Sequence, residues 1–220
     1  MKNENHDTNI VKKPWGFEYL VYESEKVALW ALFIASNQST SMHCHSKKTT
    51  GLIVLDGICE VSFLSEKKIL NSLNKIMIRK GLFHSTKSIS ENGSIVLEIE
   101  TPKDKFDLVR LKDNYGREGK PYEDSSHFIE KQNSCLWIED TDKTYNFANS
   151  LLSSISVNSI DFFYNIKKNE KIIFLNGGIM DNESKYIISA GDIVENQNIL
   201  QIIEVFKKID KETKVLIIGK

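Results

Sequence analysis

Six short apolar segments follow one another closely through the first half of the chain: Lys26 to Ala35, Thr50 to Leu55, Ile58 to Leu64, Lys75 to Ile78, Ser94 to Thr101 and Phe106 to Leu111. Each is rich in Val, Ile, Leu and aromatics, and each ends in turn-forming residues such as Asn37-Gln38, Asp56-Gly57, Lys80-Gly81 or Glu91-Asn92-Gly93. Segments of this length cannot be long helices. Their even spacing predicts antiparallel strands closed into a sandwich or barrel. The Asp56-Gly57 step between two of them predicts a tight hairpin. With 220 residues, 40% of them hydrophobic and 10% aromatic, the chain can bury one large core or two modest ones.

Chemistry concentrates in Ser41-Met42-His43-Cys44-His45 and, farther on, Lys80-Gly81-Leu82-Phe83-His84, which together hold three of the five histidines. On an extended segment His43 and His45 share one face and Cys44 takes the other, because strand side chains alternate. A third imidazole from His84, arriving from another strand, completes the three-nitrogen set of an open divalent metal centre. An H-x-H pair alone is more often a hydrogen-bonded or exposed pair than a metal site; the added Gly57 and Gly81-x-x-His84 spacing shifts the reading toward metal.

Other classes are disfavoured. Formal net charge is −1, with 29 basic and 30 acidic residues well mixed, so no footprint for nucleic acid or an anionic membrane is present. The amino terminus lacks an apolar h-region, and no run approaches the roughly 18 to 20 apolar residues of a membrane span. A cytoplasmic protein is expected. Cys44, Cys59 and Cys135 fit reduced thiols better than a disulfide framework.

Pro102 and Pro121 bracket a segment expected to leave the first barrel, and Asp113 to Asn133 reads as a polar surface linker. Residues 1–125 are therefore taken as one domain and 126–220 as another. The second is β-rich, with strand, glycine turn and strand in Lys171 to Met180, Ser189 to Val194 and Val215 to Ile218. Between them, Tyr145, Ala148, Leu151, Leu152 and Ile155 follow a helical period, predicting an amphipathic helix over 143–155.

Residues 41–57 resemble the first cupin motif and residues 79–88 the second. Lys13-Pro14-Trp15-Gly16-Phe17-Glu18-Tyr19, the strand Leu97 to Thr101 and the closing Asp107 to Arg117 resemble the cupin domain of type II mannose-6-phosphate isomerases. The resemblance covers roughly residues 12–118. It implies an all-β cupin (jelly-roll) barrel, followed by a degenerate cupin-like unit with a short helix, without histidine ligands and with no histidine past residue 135. It also implies a phosphorylated carbohydrate as small-molecule partner and a Zn, Mn or Fe ion on His43, His45 and His84. Where the cupin pattern carries a glutamate, this chain has Thr50.

Glu98 and Glu100 share one face of their strand and are the candidate acid–base pair, though the solvated face of an edge strand would look the same. Arg110, with Lys47 or Arg117, would hold a phosphate or stabilise an enediolate. Lys48 and Trp15 are further candidates for substrate contact, and Trp15 serves equally as a packing residue. The leading expectation is an aldose–ketose isomerase working through a cis-enediol. A metal-free nucleotide-sugar epimerase, an Fe-dependent dioxygenase and a non-catalytic sugar-binding or regulatory bicupin stay open beside it, as does a homodimer.

Overall fold

The structure is a computed structural model that describes residues 6–139 and 142–220. Twelve strands build the first unit: β1 Asn9–Lys13, β2 Gly16–Glu23, β3 Ala28–Ile34, β4 Met42–Cys44, β5 Thr49–Asp56, β6 Ile58–Phe63, β7 Lys67–Asn71, β8 Lys75–Ile78, β9 His84–Ser88, β10 Ser94–Thr101, β11 Val109–Lys112 and β12 Phe128–Glu130. They form two antiparallel sheets, in the orders β12-β1-β2-β3-β10-β5-β8 and β11-β4-β9-β6-β7. Counting β3 as the first strand, one sheet runs first, eighth, third, sixth and the other second, seventh, fourth, fifth. That is the double Greek key of a jelly roll, the architecture the cupin resemblance implies.

This topology corrects the reading of Asp56-Gly57. Strands β5 and β6 lie in different sheets, so the step is a corner and not a hairpin. Gly57 turns it at φ +81°, where an added Cβ would sit 2.7 Å from the Gly93 carbonyl oxygen. The segment between Pro102 and Pro121 also stays with the barrel. Its strand β11 pairs with β4, setting Arg110 opposite His43. Nor is 113–133 purely a surface linker, since Tyr122 and Glu123 are buried and β12 pairs with β1.

The second unit repeats the plan with one strand missing. It comprises β13 Lys143–Phe147, β14 Ser150–Ser156, β15 Lys171–Asn176, β16 Gly178–Met180, β17 Tyr186–Ser189, β18 Ile193–Glu195, helix α1 Asn196–Val205, β19 Lys208–Ile209 and β20 Lys214–Gly219. Strands β14, β20, β15 and β18 reproduce the order first, eighth, third, sixth, and β19, β16 and β17 the order seventh, fourth, fifth. At the second position, which in the first barrel is the histidine-bearing β4, stands the 3-10 turn Ile160–Asn165. The helix expected over 143–155 is instead the β13–β14 hairpin, turned at Ala148 and Asn149 with φ of +50° and +59°. Such a two-residue turn suits Asn and stops a helix. The strand alternates, Ser150, Leu152 and Ser154 being buried. The one α-helix among the described residues is α1. None is long and apolar enough to cross a membrane.

Three apolar clusters follow from strand alternation. Trp30, Leu52, Val54, Val61 and Val96 face the interior of the first barrel. Phe163, Phe174, Ile179, Ile199, Ile203 and Val215 fill the second. Between the barrels, Leu29, Ile53, Leu97 and Ile99 of the first share one cluster with Leu152, Ile173, Leu216 and Ile218 of the second. The two larger sheets thus pack back to back.

Candidate metal centre and charged pocket

His43 and His45 project from β4 and its end into the first barrel, and His84 opens β9 directly across from His43. One ring nitrogen from each lies within 4.8 Å of the others. The rings are oriented from behind. The Nδ1–H of His43 donates to the Ser41 carbonyl at 2.7 Å, that of His84 to the Leu82 carbonyl at 3.0 Å, and that of His45 to the Asp107 carbonyl. A carbonyl accepts only from N–H, so these bonds fix the tautomer and leave each Nε2 lone pair to ligate. The His45 Nε2 is buried without a hydrogen-bond partner.

Burial lowers the pKa of all three. His45 falls to about 3, with Lys48 adding repulsion, and His84 to about 4. His43 drops well below the usual range through burial and its two histidine neighbours. Neutral, tautomer-fixed imidazoles converging around an unpartnered nitrogen fit a divalent ion. Among the described residues the cluster is three histidines with no carboxylate. Thr50, at the glutamate position of the pattern, is fully buried and its hydroxyl has no partner.

Asp107 holds this corner in place. Its carboxylate accepts from the backbone N–H of Ser46, Lys47 and Lys48 at 2.7–3.0 Å and from the Ser46 hydroxyl. These bonds outweigh burial and hold its pKa at about 2. The same residue therefore aims His45 through its carbonyl and Lys48 through its carboxylate.

Beside the histidines lies a cavity of about 60 Å³, room for a few waters or the reacting end of a small ligand. Glu98 and Glu100 both face it, since they alternate with Leu97 and Ile99 on β10. Their environments differ. Glu100 accepts from Lys48 Nζ at 2.7 Å and Lys105 Nζ at 3.2 Å, and these cations overcome burial to lower its pKa. Glu98 is 3.7 Å from Lys105, and burial, aided by repulsion from Glu100, raises its pKa. One carboxylate is held in its ionised form and the other is pushed toward its neutral form.

Lys105 links them, lying 3.1 Å from Glu18 and 3.8 Å from the centroid of the Trp30 ring. Glu18, opposed by burial but held by Lys105 and Lys13, has a pKa of about 2 and accepts from the Tyr122 hydroxyl. Of the other candidates from the sequence, Trp15 and Lys48 line the cavity, whereas Lys47 is exposed on the loop outside it. Lys48 is spent on Glu100 and the Asp104 carbonyl. Arg110 and Arg117 also line the cavity, but both bind Glu123, at 3.2 and 2.6 Å. Sequence reasoning missed Lys13, Glu18, Lys105, Asp107, Tyr122 and Glu123. Lys13, Glu18 and Asp107 stood in the stretches that carried the resemblance, but a single charged residue at a strand end, within a strand or in a turn gives no sign of burial.

No family model matches the chain. It is 23% identical over 118 residues to the mannose-1-phosphate guanylyltransferase ManC of Salmonella typhimurium, a match covering 53% of this chain and 25% of that protein. The chain thus spans about a quarter of the length of that relative. Solved structures it resembles include KdgF from Halomonas sp., at 19% identity over 46% of this chain and 93% of that one with a TM-score of 0.41. Another is an RmlC-like cupin from Shewanella frigidimarina, at 14% identity over 46% and 89% with a TM-score of 0.40.

Proposed function

We propose that the first barrel is a metal-dependent isomerase site for a sugar phosphate. The observation that carries the reading is the convergence of three neutral imidazoles, each with its Nδ1 committed to a backbone carbonyl, beside a carboxylate of raised pKa. A Zn, Mn or Fe ion held by His43, His45 and His84 would supply Lewis-acid polarisation of a ligand carbonyl. Glu98 is the group able to move a proton between adjacent carbons. Its raised pKa makes it a stronger base when ionised and an effective acid when protonated. Glu100 stays ionised between Lys48 and Lys105, so it orients ligand hydroxyls and does not exchange protons. The sugar assignment draws on the likeness to a mannose-phosphate enzyme and on the isomerase resemblance of residues 12–118.

Thr50 favours one second reading. Without a charged fourth ligand the barrel is suited to binding a carbohydrate without turning it over. Both readings are separated by metal content and by proton exchange in deuterated water, followed by NMR on hexose 6-phosphates. About one transition metal per chain, with exchange at C2 and ketose formation, both lost in the H43A/H45A/H84A variant, is the expected result. Metal without exchange selects the binding module, and a chain that takes up no Zn, Mn or Fe refutes the metal centre.

A further inference from the structure

Three cations that line the pocket converge on a single carboxylate. Glu123 Oε1 accepts from Arg117 Nη1 at 2.6 Å and from Arg110 Nη2 at 3.2 Å, while Oε2 meets Lys13 Nζ. All four side chains are at least 88% buried, by their 4, 3, 12 and 5% exposures for Lys13, Arg110, Arg117 and Glu123. Glu123 stands in the irregular segment between β11 and β12, so its side chain is not held by a strand ladder.

The carboxylate matches this cradle incompletely. Arg110 Nη1 is used on the Lys120 and Pro121 carbonyls at 2.7 and 2.6 Å, which anchors the guanidinium independently of Glu123. Its other edge, Nε and Nη2, presents two parallel donors. Glu123 takes only Nη2, and the buried Nε has no partner. Four donors, Lys13 Nζ, Arg110 Nε, Arg110 Nη2 and Arg117 Nη1, therefore face two oxygens carrying one charge. A tetrahedral dianion with three free oxygens would take the Nε/Nη2 edge in bidentate fashion and still reach Lys13 and Arg117.

We propose that Lys13, Arg110 and Arg117 form a phosphate-monoester site which the Glu123 carboxylate fills until ligand displaces it. The proposal rests on the sugar-phosphate reading above and specifies where the phosphate goes. Glu123 then acts as a built-in competitor. It shares the neutralisation of these cations with Asp113, which takes Arg117 Nε and Nη2 at 3.0 and 2.7 Å, and with Glu18, 3.4 Å from Lys13. Of the three, only Arg110 has Glu123 as its sole carboxylate partner among the described residues. A doubly charged group is favoured over a singly charged one in its place.

The test is calorimetric titration of the full chain, in chelator to keep metal out, with inorganic phosphate, a hexose 6-phosphate and the free hexose. Glu123→Gln is expected to bind inorganic phosphate at least tenfold tighter than wild type. Adding Lys13→Met to it should abolish the gain. The hexose phosphate should bind tighter than inorganic phosphate, and the free hexose should not compete. Unchanged phosphate affinity in E123Q, a gain that survives K13M, or equal affinity for the ester and free phosphate would each overturn the proposal. Should E123Q fail to fold, a crystal structure of wild type with phosphate decides. The anion is expected on Arg110 Nε with Glu123 rotated away, and an anion elsewhere or an unmoved Glu123 overturns it. Because no metal is present in these experiments, their failure is distinct from failure of the histidine centre.

Discussion

At the residue scale, the two carboxylates of β10 differ only through their neighbours. Two positions apart on one strand face, Glu98 and Glu100 meet different numbers of cations, and their pKa values move in opposite directions. A carboxyl whose folded pKa is raised above its unfolded value contributes stability fully at low pH and loses it as pH rises through the folded value. Wild type should therefore lose stability relative to Glu98→Gln as pH climbs above the ordinary carboxylate range, read as diverging urea midpoints, and on the proposed isomerase reading E98Q should lower turnover by about 10²-fold or more. Parallel midpoints over that climb would mean that Glu98 is ionised throughout and is not the acid. Period two placed Glu98 and Glu100 on one face of this strand but did not tell that the face looks inward, since the opposite face is apolar and the exposed face of an edge strand reads the same. Which glutamate would be the acid was not legible either, because Lys105 lies in a turn and no periodicity marks its burial.

At the element scale, the second unit lacks the strand that bears His43 in the first. Where β4 carries His43 in the first barrel, the second has the turn Ile160–Asn165, capped by Ser159 and burying Phe163 completely. Phe163 packs 5.9 Å from Phe174, ring centre to ring centre, and Ile199 and Ile203 of α1 join the same cluster. The space of a ligand pocket is thereby closed with hydrocarbon. Phe163→Ala should destabilise the protein by about 3 to 5 kcal/mol in urea unfolding, since the cavity cannot be refilled by flanking strands. Metal uptake by the folded fraction should stay at the wild-type ratio, and a drop in that ratio would show that the second barrel shapes the first. The strands of this unit were readable from their Val and Ile content. Its helix was misplaced because Leu151, Leu152 and Ile155 fit a helical period as well as a strand, and the Ala148-Asn149 turn that decides between them shows itself only in backbone geometry.

At the scale of the whole molecule, the back-to-back packing makes each barrel part of the other's core. Residues that alternate outward on β3, β5 and β10 would be solvent-facing on an isolated barrel, yet Leu29, Ile53, Leu97 and Ile99 are all buried against the second unit. The alternation of these strands in the sequence is correspondingly weak: Leu52 to Leu55 and Val96 to Leu97 read as continuous apolar runs because both faces are covered. That pattern made the fold class legible while hiding which face looked into the pocket. The arrangement also fixes how the chain unfolds. Leu216 is fully buried on β20, in the shared cluster and remote in sequence from the histidines. Leu216→Asp places an unpaired charge in that interface, so it should destabilise by about 3 kcal/mol or more and lower the thermal midpoint by about 6 to 12 °C or more. The fall should be seen equally by tryptophan fluorescence in a Trp137→Phe background, which reports Trp15 and Trp30 in the first barrel, and by far-UV circular dichroism, which reports both. If fluorescence held its wild-type midpoint while the dichroism signal fell in two steps, the barrels would be independent domains, and the first could be taken alone for study of its site.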